Sequence, residues 1–167
     1  DQVEKHVISI KGSDTMVNLA QKWAENFMAA NPTASIQVTG GGSGTGVAAL
    51  LNGTTDIAAS SRELKSKEID LAKSKNIDYQ EFRVALDGIA VIVHPSNPIE
   101  YITMEQARDI FSGKVTNYKD VKGQDQKITL YGRENSSGTY EFFKEHVLGK
   151  DKNGNEVPLM RIEKDLT

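Results

Sequence analysis

The chain has 167 residues, of which 38% are hydrophobic and 26% charged, and its net charge is −3. That is the composition of an ordinary globular protein, long enough for one large or two small domains, with neither a nucleic-acid footprint nor a membrane-surface patch. Cysteine is absent, which excludes disulfides, thiol catalysis and thiolate metal sites.

In chain order, Val7 to Ile10 predicts a short apolar strand ending at Gly12. Met16, Leu19, Ala20, Trp23, Phe27 and Ala30 follow at the spacing of one apolar helix face. Asp14 or Thr15 is the expected N-cap of that helix, and Asn31-Pro32 its stop. Ile36 to Thr39 predicts the second strand, then a turn over Gly40–Gly46 and a short helix with Val47, Leu50 and Leu51 on one side, closed by Asn52-Gly53. Asp56 to Ser60 predicts a third strand, leading through Ser61-Arg62 into a lysine-rich, solvated helix from about Ser66 to Lys75. Tyr79 to Leu86 and Ile89 to His94 are strand-like and flank Asp87-Gly88. Thr103-Met104-Glu105-Gln106 fits a capping box before a helix with Ala107, Ile110 and Phe111. Ile128 to Tyr131 reads as strand, and Tyr140, Phe142, Phe143 and Val147 as a helix after Thr139.

Strands alternating with helices at these lengths imply an α/β fold with mostly parallel strands. Ligands of such sheets sit beyond the carboxyl ends of the strands. Three serine- and glycine-rich turns fall there: Gly12-Ser13-Asp14-Thr15-Met16, Gly40 to Gly46, and Arg133-Glu134-Asn135-Ser136-Ser137-Gly138-Thr139. Each can aim backbone N–H groups and hydroxyls at an oxyanion. The Asp87-Gly88 break and Pro95-Ser96-Asn97-Pro98 are the candidate lobe boundaries.

These turns fail the nucleotide tests. No Lys-Ser/Thr completes a P-loop, and the glycines never reach G-x-G-x-x-G spacing. Ser43 misses the second glycine of a nucleophile elbow, and His6, His94 and His146 form no pattern with it or with each other. That argues against both catalysis and a metal site. Arg133 is more telling, because a guanidinium fork suits two oxygens of a phosphate or carboxylate, and four donor-rich residues follow it. Arg62, after Ser60-Ser61 at a strand end, repeats the arrangement.

With these turns in place, the chain resembles the periplasmic phosphate-binding receptors of ABC transporters, the PstS-type solute-binding proteins. The resemblance is carried by six segments in order: Gly12 to Met16, Gly40 to Gly46, Ala58 to Arg62, Asp87 to Val91, Ile110 to Asn117 and Arg133 to Thr139. It implies a type II periplasmic-binding-protein-like fold of two α/β lobes with mixed, mostly parallel sheets, residues 1–88 and 89–167. It implies a non-enzymatic, extracytoplasmic receptor that takes inorganic phosphate between its lobes and delivers it to permease subunits, with no cofactor, metal or nucleic acid. Within this fold the alternatives are a sulfate receptor and a phosphate-sensing or adhesion protein. The implied ligand set is Ser13, Thr15 and the Met16 amide from the first turn, Ser43 from the second, Ser61 and Arg62 after the third strand, and Arg133, Ser137, Gly138 and Thr139 from the second lobe.

Two departures stand out. Many members of that family carry a carboxylate just after the third strand, which accepts the proton of hydrogen phosphate and repels sulfate. Here Ser61 stands at the matching position; Asp14 is the alternative acceptor, and Asp56 lies too early on its strand. The family's receptors are also longer. The second lobe is therefore expected to be incomplete in this chain, with extra exposed apolar surface or a swapped homodimer as the consequence.

Overall fold

A computed structural model describes residues 6–150, 153–155, 157, 158, 164 and 165. Packing divides the chain into two compact units, one of Asp1–Val84 with Ser136–Gly138, the other of Ala85–Asn135 with Thr139–Thr167.

The first unit is built on three parallel strands in the order β2-β1-β3: β1 (His6–Gly12), β2 (Ala34–Thr39) and β3 (Ile57–Ala59). Register is set by Ile8 opposite Ile36, Ile10 opposite both Val38 and Ile57, and Gly12 opposite Ala59. Parallel neighbours need crossovers, and helices supply them. Helix α1 (Val17–Ala30) joins β1 to β2, and α2 (Ser43–Leu51) joins β2 to β3. Helix α3 (Ser66–Ser74) follows, buries only Ala72 and is solvated as expected. The core gathers Val47, Leu51 and Ala72, with Leu64, Ile77 and Tyr79 packed around them.

Helix α1 departs from its predicted face. Ala20 and Ala24 are buried, whereas Leu19, Trp23 and Phe27 are exposed. The helix turns its small side chains inward with half-buried Val17 and Met28, and the Met28 sulfur accepts the Ile36 N–H at 3.2 Å. Neither Asp14 nor Thr15 caps it. A 3-10 turn over Asp14–Met16 precedes it, and the Asp14 carboxylate takes the Gly41 N–H at 2.8 Å. Helix α2 begins inside the predicted turn, at Ser43, once Gly41 and Gly42 have reversed the chain at φ 115° and 88°.

No strand forms over 79–94. Residues 80–96 are exposed, Leu86 at 88%. A strand needs a neighbour for its backbone N–H and C=O groups, and no described residue pairs with this run.

The second unit centres on α4 (Met104–Phe111), whose capping box forms as expected: Thr103 Oγ1 accepts the Gln106 N–H at 3.1 Å and Gln106 Oε1 accepts the Thr103 N–H at 2.8 Å. Ile110, Val121, Ile128 and Leu130 make its core, with Ile99, Ile102, Phe111, Val115 and Tyr118 against it. The strand expected over 128–131 is shorter and later. Only Tyr131–Gly132 (β4) forms a ladder, parallel to Lys164–Asp165 (β5), while Ile128 and Leu130 serve as core. Helix α5 (Gly138–Phe143) runs into a π-helical turn over Lys144–Leu148, and Phe143 meets Phe111 edge-on with ring centroids 4.6 Å apart. Among the described residues no helix is long and apolar enough to cross a membrane.

Candidate functional site

Glycine makes the carboxyl ends of the three strands converge. At Gly12 a Cβ would overlap the Ala59 carbonyl, and at Gly46 it would overlap the Lys11 carbonyl. Only hydrogen fits at either place, so β1 can run beside β3 while α2 starts directly over β1. Backbone bonds then lock the turns: Ser13 N–H to Ala59 O at 2.8 Å, and Gly42 N–H to Gly12 O at 3.0 Å. The segment Ser136–Gly138 belongs to the same unit, and Ser136 O accepts the Gly44 N–H at 3.2 Å.

Four hydroxyls meet there. Ser13 Oγ lies 2.8 Å from Thr15 Oγ1 and donates to Ser61 Oγ at 3.1 Å. Ser61 Oγ is 3.2 Å from Ser43 Oγ, which also accepts the Ser61 N–H at 3.1 Å. Ser13, Ser43 and Ser137 are buried, Ser61 is half-buried and Thr15 is exposed. Gly138 closes against the cluster, where a Cβ would run into the hydroxyls of Ser43 and Ser61. Hydroxyls both donate and accept, and they rotate, so a set bonded to itself can turn its protons toward an oxyanion.

The other expected ligands are placed differently. The Met16 amide is given to the Ser13 carbonyl at 3.1 Å, closing the 3-10 turn. The Arg62 guanidinium is turned onto Glu68, with Nη1 and Nη2 bonding the two carboxylate oxygens at 2.8 and 2.7 Å. Arg133 and Thr139 lie in the second unit, where the Arg133 guanidinium bonds the Glu134 carboxylate, Nη2 at 3.2 Å, and Thr139 sits in the first turn of α5.

Two carboxylates are perturbed. Burial pushes Glu68 up, but hydrogen bonds from Arg62 and the Lys65 N–H, with the charges of both residues, outweigh it and hold the carboxyl below its ordinary value. Asp56 is lowered chiefly by the Ser9 N–H, then by the Ser9 hydroxyl. Asp56 immediately precedes β3, at the amino end of that strand, so it is no part of the cluster beyond the carboxyl end. Asp14 shares a turn with Ser13 and Thr15. Among the described residues no group of three His, Asp or Glu could hold a metal ion. Glu68 is the residue that the sequence alone does not single out, because it lies in the first turn of the solvated α3 and its arginine partner stands six residues upstream.

The chain belongs to the PBP superfamily, whose domain model matches residues 1–160. Among its relatives, the phosphate-binding protein PstS of Bacillus subtilis is 40% identical over 141 residues, 84% of this chain and 46% of that protein. A Clostridium perfringens crystal structure with bound phosphate, assigned as a phosphate ABC transporter substrate-binding protein, is 32% identical with a TM-score of 0.79, over 96% of this chain and 63% of the other. The ABC-type phosphate transport receptor of Vibrio cholerae is 34% identical with a TM-score of 0.71, over 94% and 62%. The chain spans about half the length of the curated relatives it matches.

Proposed function

We propose that the protein captures inorganic phosphate as the extracytoplasmic solute receptor of an ABC transporter, acting as a binding protein and not an enzyme. The observation that carries this reading is the cluster of Ser13, Thr15, Ser43 and Ser61 hydroxyls beyond the carboxyl ends of three parallel strands. A compact array of neutral donors suits a dehydrated dianion, since each hydrogen bond to a charged group contributes about 1.5–3 kcal/mol net. The names of the relatives in Bacillus subtilis and Vibrio cholerae support phosphate as the solute and transport as the context. Ser137 and Gly138 border the cluster and belong to the proposed site. Thr139 and the Met16 amide are proposed from the family resemblance, Arg133 also from its guanidinium fork ahead of a donor-rich turn, and the division into lobes at residues 88 and 89 from the Asp87-Gly88 break. The apolar side chains exposed between Phe82 and Val93 support a further reading, in which a second copy of the chain covers them. Light scattering that shows a monomer at every concentration contradicts it.

A second reading, a receptor for tetrahedral oxyanions including sulfate, is favoured by one observation. The hub of the cluster is the Ser61 hydroxyl, where a carboxylate would repel a fully deprotonated anion. Calorimetry with phosphate and sulfate at two pH values separates the two. Phosphate binding well ahead of sulfate is the expected result; equal affinities transfer the function to a general oxyanion receptor, and binding of neither refutes both. Arg133→Ala is expected to weaken phosphate binding by well over tenfold, because truncating one partner of a buried charged contact costs about 2–5 kcal/mol. A smaller loss removes Arg133 from the site.

A further inference from the structure

Ser61 joins the two halves of the hydroxyl cluster, yet its position is set from outside it. The next side chain, Arg62, is only 8% exposed and forks onto both oxygens of Glu68 at 2.7 and 2.8 Å. Its Nη1 also reaches Glu63 O at 2.8 Å, and Glu68 Oε2 accepts the Lys65 N–H at 2.8 Å, which ties the fork to the start of α3. The Arg62 backbone is pinned as well: the Ser60 hydroxyl donates to Arg62 O at 2.7 Å and accepts the Arg62 N–H at 3.3 Å. Residues 60–62 would otherwise be an open connection between β3 and α3, with freedom to lose when a ligand binds.

We propose that Glu68 is a positioning residue for oxyanion binding, which acts through its two-bond fork to Arg62 to hold Ser61 in the hydroxyl cluster. This rests on the reading of that cluster as the oxyanion site. A guanidinium and a carboxylate are both planar and meet along two parallel bonds, so the fork fixes direction as well as distance. The pair is also neutral as a whole, so its contribution is geometry fixed before the ligand arrives and not a net charge. Glu68 is ionised at neutral pH, and the Arg62 and Lys65 bonds hold its carboxyl below its ordinary value.

Glu68→Gln retains the shape and one acceptor but loses the charged fork, and Arg62→Lys retains the charge but loses the plane. Each is expected to weaken phosphate binding about tenfold, and the double variant to lose no more than either single one, as coupled partners do. Hydrogen exchange supplies a readout that needs no ligand. The Ser61 amide proton, donated to Ser43 Oγ, should exchange about tenfold faster in both variants, while the amides of Val47 to Leu51 in α2 keep their rates, since opening is local. Unchanged phosphate affinity in Glu68→Gln, additive losses in the double variant, or an unaltered Ser61 exchange rate overturns the proposal. Wild-type protein that binds neither phosphate nor sulfate overturns the oxyanion reading, a failure distinguishable from that of the fork because the exchange rates report on the fork directly.

Discussion

Ile57–Ala59 and Ile89–Val93 are both short apolar runs, and only the first is a strand. Ile57, Ala58 and Ala59 pair in register with Ile10, Lys11 and Gly12, and Ala58 and Ala59 are half-buried while Ile57 stays 49% exposed. Ile89, Val91, Ile92 and Val93 pair with none of the described residues and stand exposed. Apolar sequence is necessary for a buried strand, but the ladder is a property of two segments. The same difference separates the hydroxyl cluster from the expected ligands of the second unit. The cluster is assembled where three parallel strands end together, whereas no ladder of the first sheet holds Arg133 or Thr139.

The largest expected effect that sharpens this comparison is in the core beside the ladders. Leu51 is 2% exposed among Val47 and Ala72, so Leu51→Ala should destabilise the protein by about 2–5 kcal/mol in a urea titration. Gly12→Ala comes next. Its new methyl meets the Ala59 carbonyl, and the expected loss is about 1–3 kcal/mol as β1 and β3 are pushed apart. A wild-type urea midpoint in Gly12→Ala would show that the strands do not approach so closely.

Acid should act on the same unit more gently. The carboxyl of Glu68 is held below its ordinary value of 4.5, so the folded state binds that proton less readily than the unfolded chain. The stabilisation is therefore complete above about 4.5 and declines as pH falls through the lower, folded value. Asp56 contributes with the same sign from its ordinary value of 3.8. The urea midpoint should drop between pH 5 and pH 3, and drop less in Glu68→Gln; equal drops would mean that the fork carries no linkage. The smallest expected effect lies in the unpaired run. Leu86 is 88% exposed, and Leu86→Ala should change stability by no more than about 0.5 kcal/mol. A loss comparable to that of Leu51→Ala would break the comparison, because it would place Leu86 in a core.

What the sequence made legible was mostly local. The capping box at Thr103, the stop at Asn52-Gly53 and the solvated α3 depend on residues within a few positions of one another, and all three stand as read. The strand-end placement of the Ser13 and Ser43 turns was legible too, because β-α alternation dictates it. The errors arose where a distant partner decides. Asp14 looked like a helix cap, but its carboxylate is taken by Gly41. Leu19, Trp23 and Phe27 looked like the buried face of α1, but the sheet admits its alanines instead. The fork from Arg62 to Glu68 was equally hidden, because its partner stands six residues away and meets it only once α3 is in place.

The central claim is that phosphate binds at the hydroxyl cluster, and a phosphate titration of nitrogen-15-labelled protein followed by NMR tests it most directly. The amide signals of Ser13, Thr15, Ser43 and Ser61 should shift together and saturate, while those of Leu86 and Ile92 stay where they are. Saturable shifts that bypass those four residues, or no shift anywhere, would contradict the account.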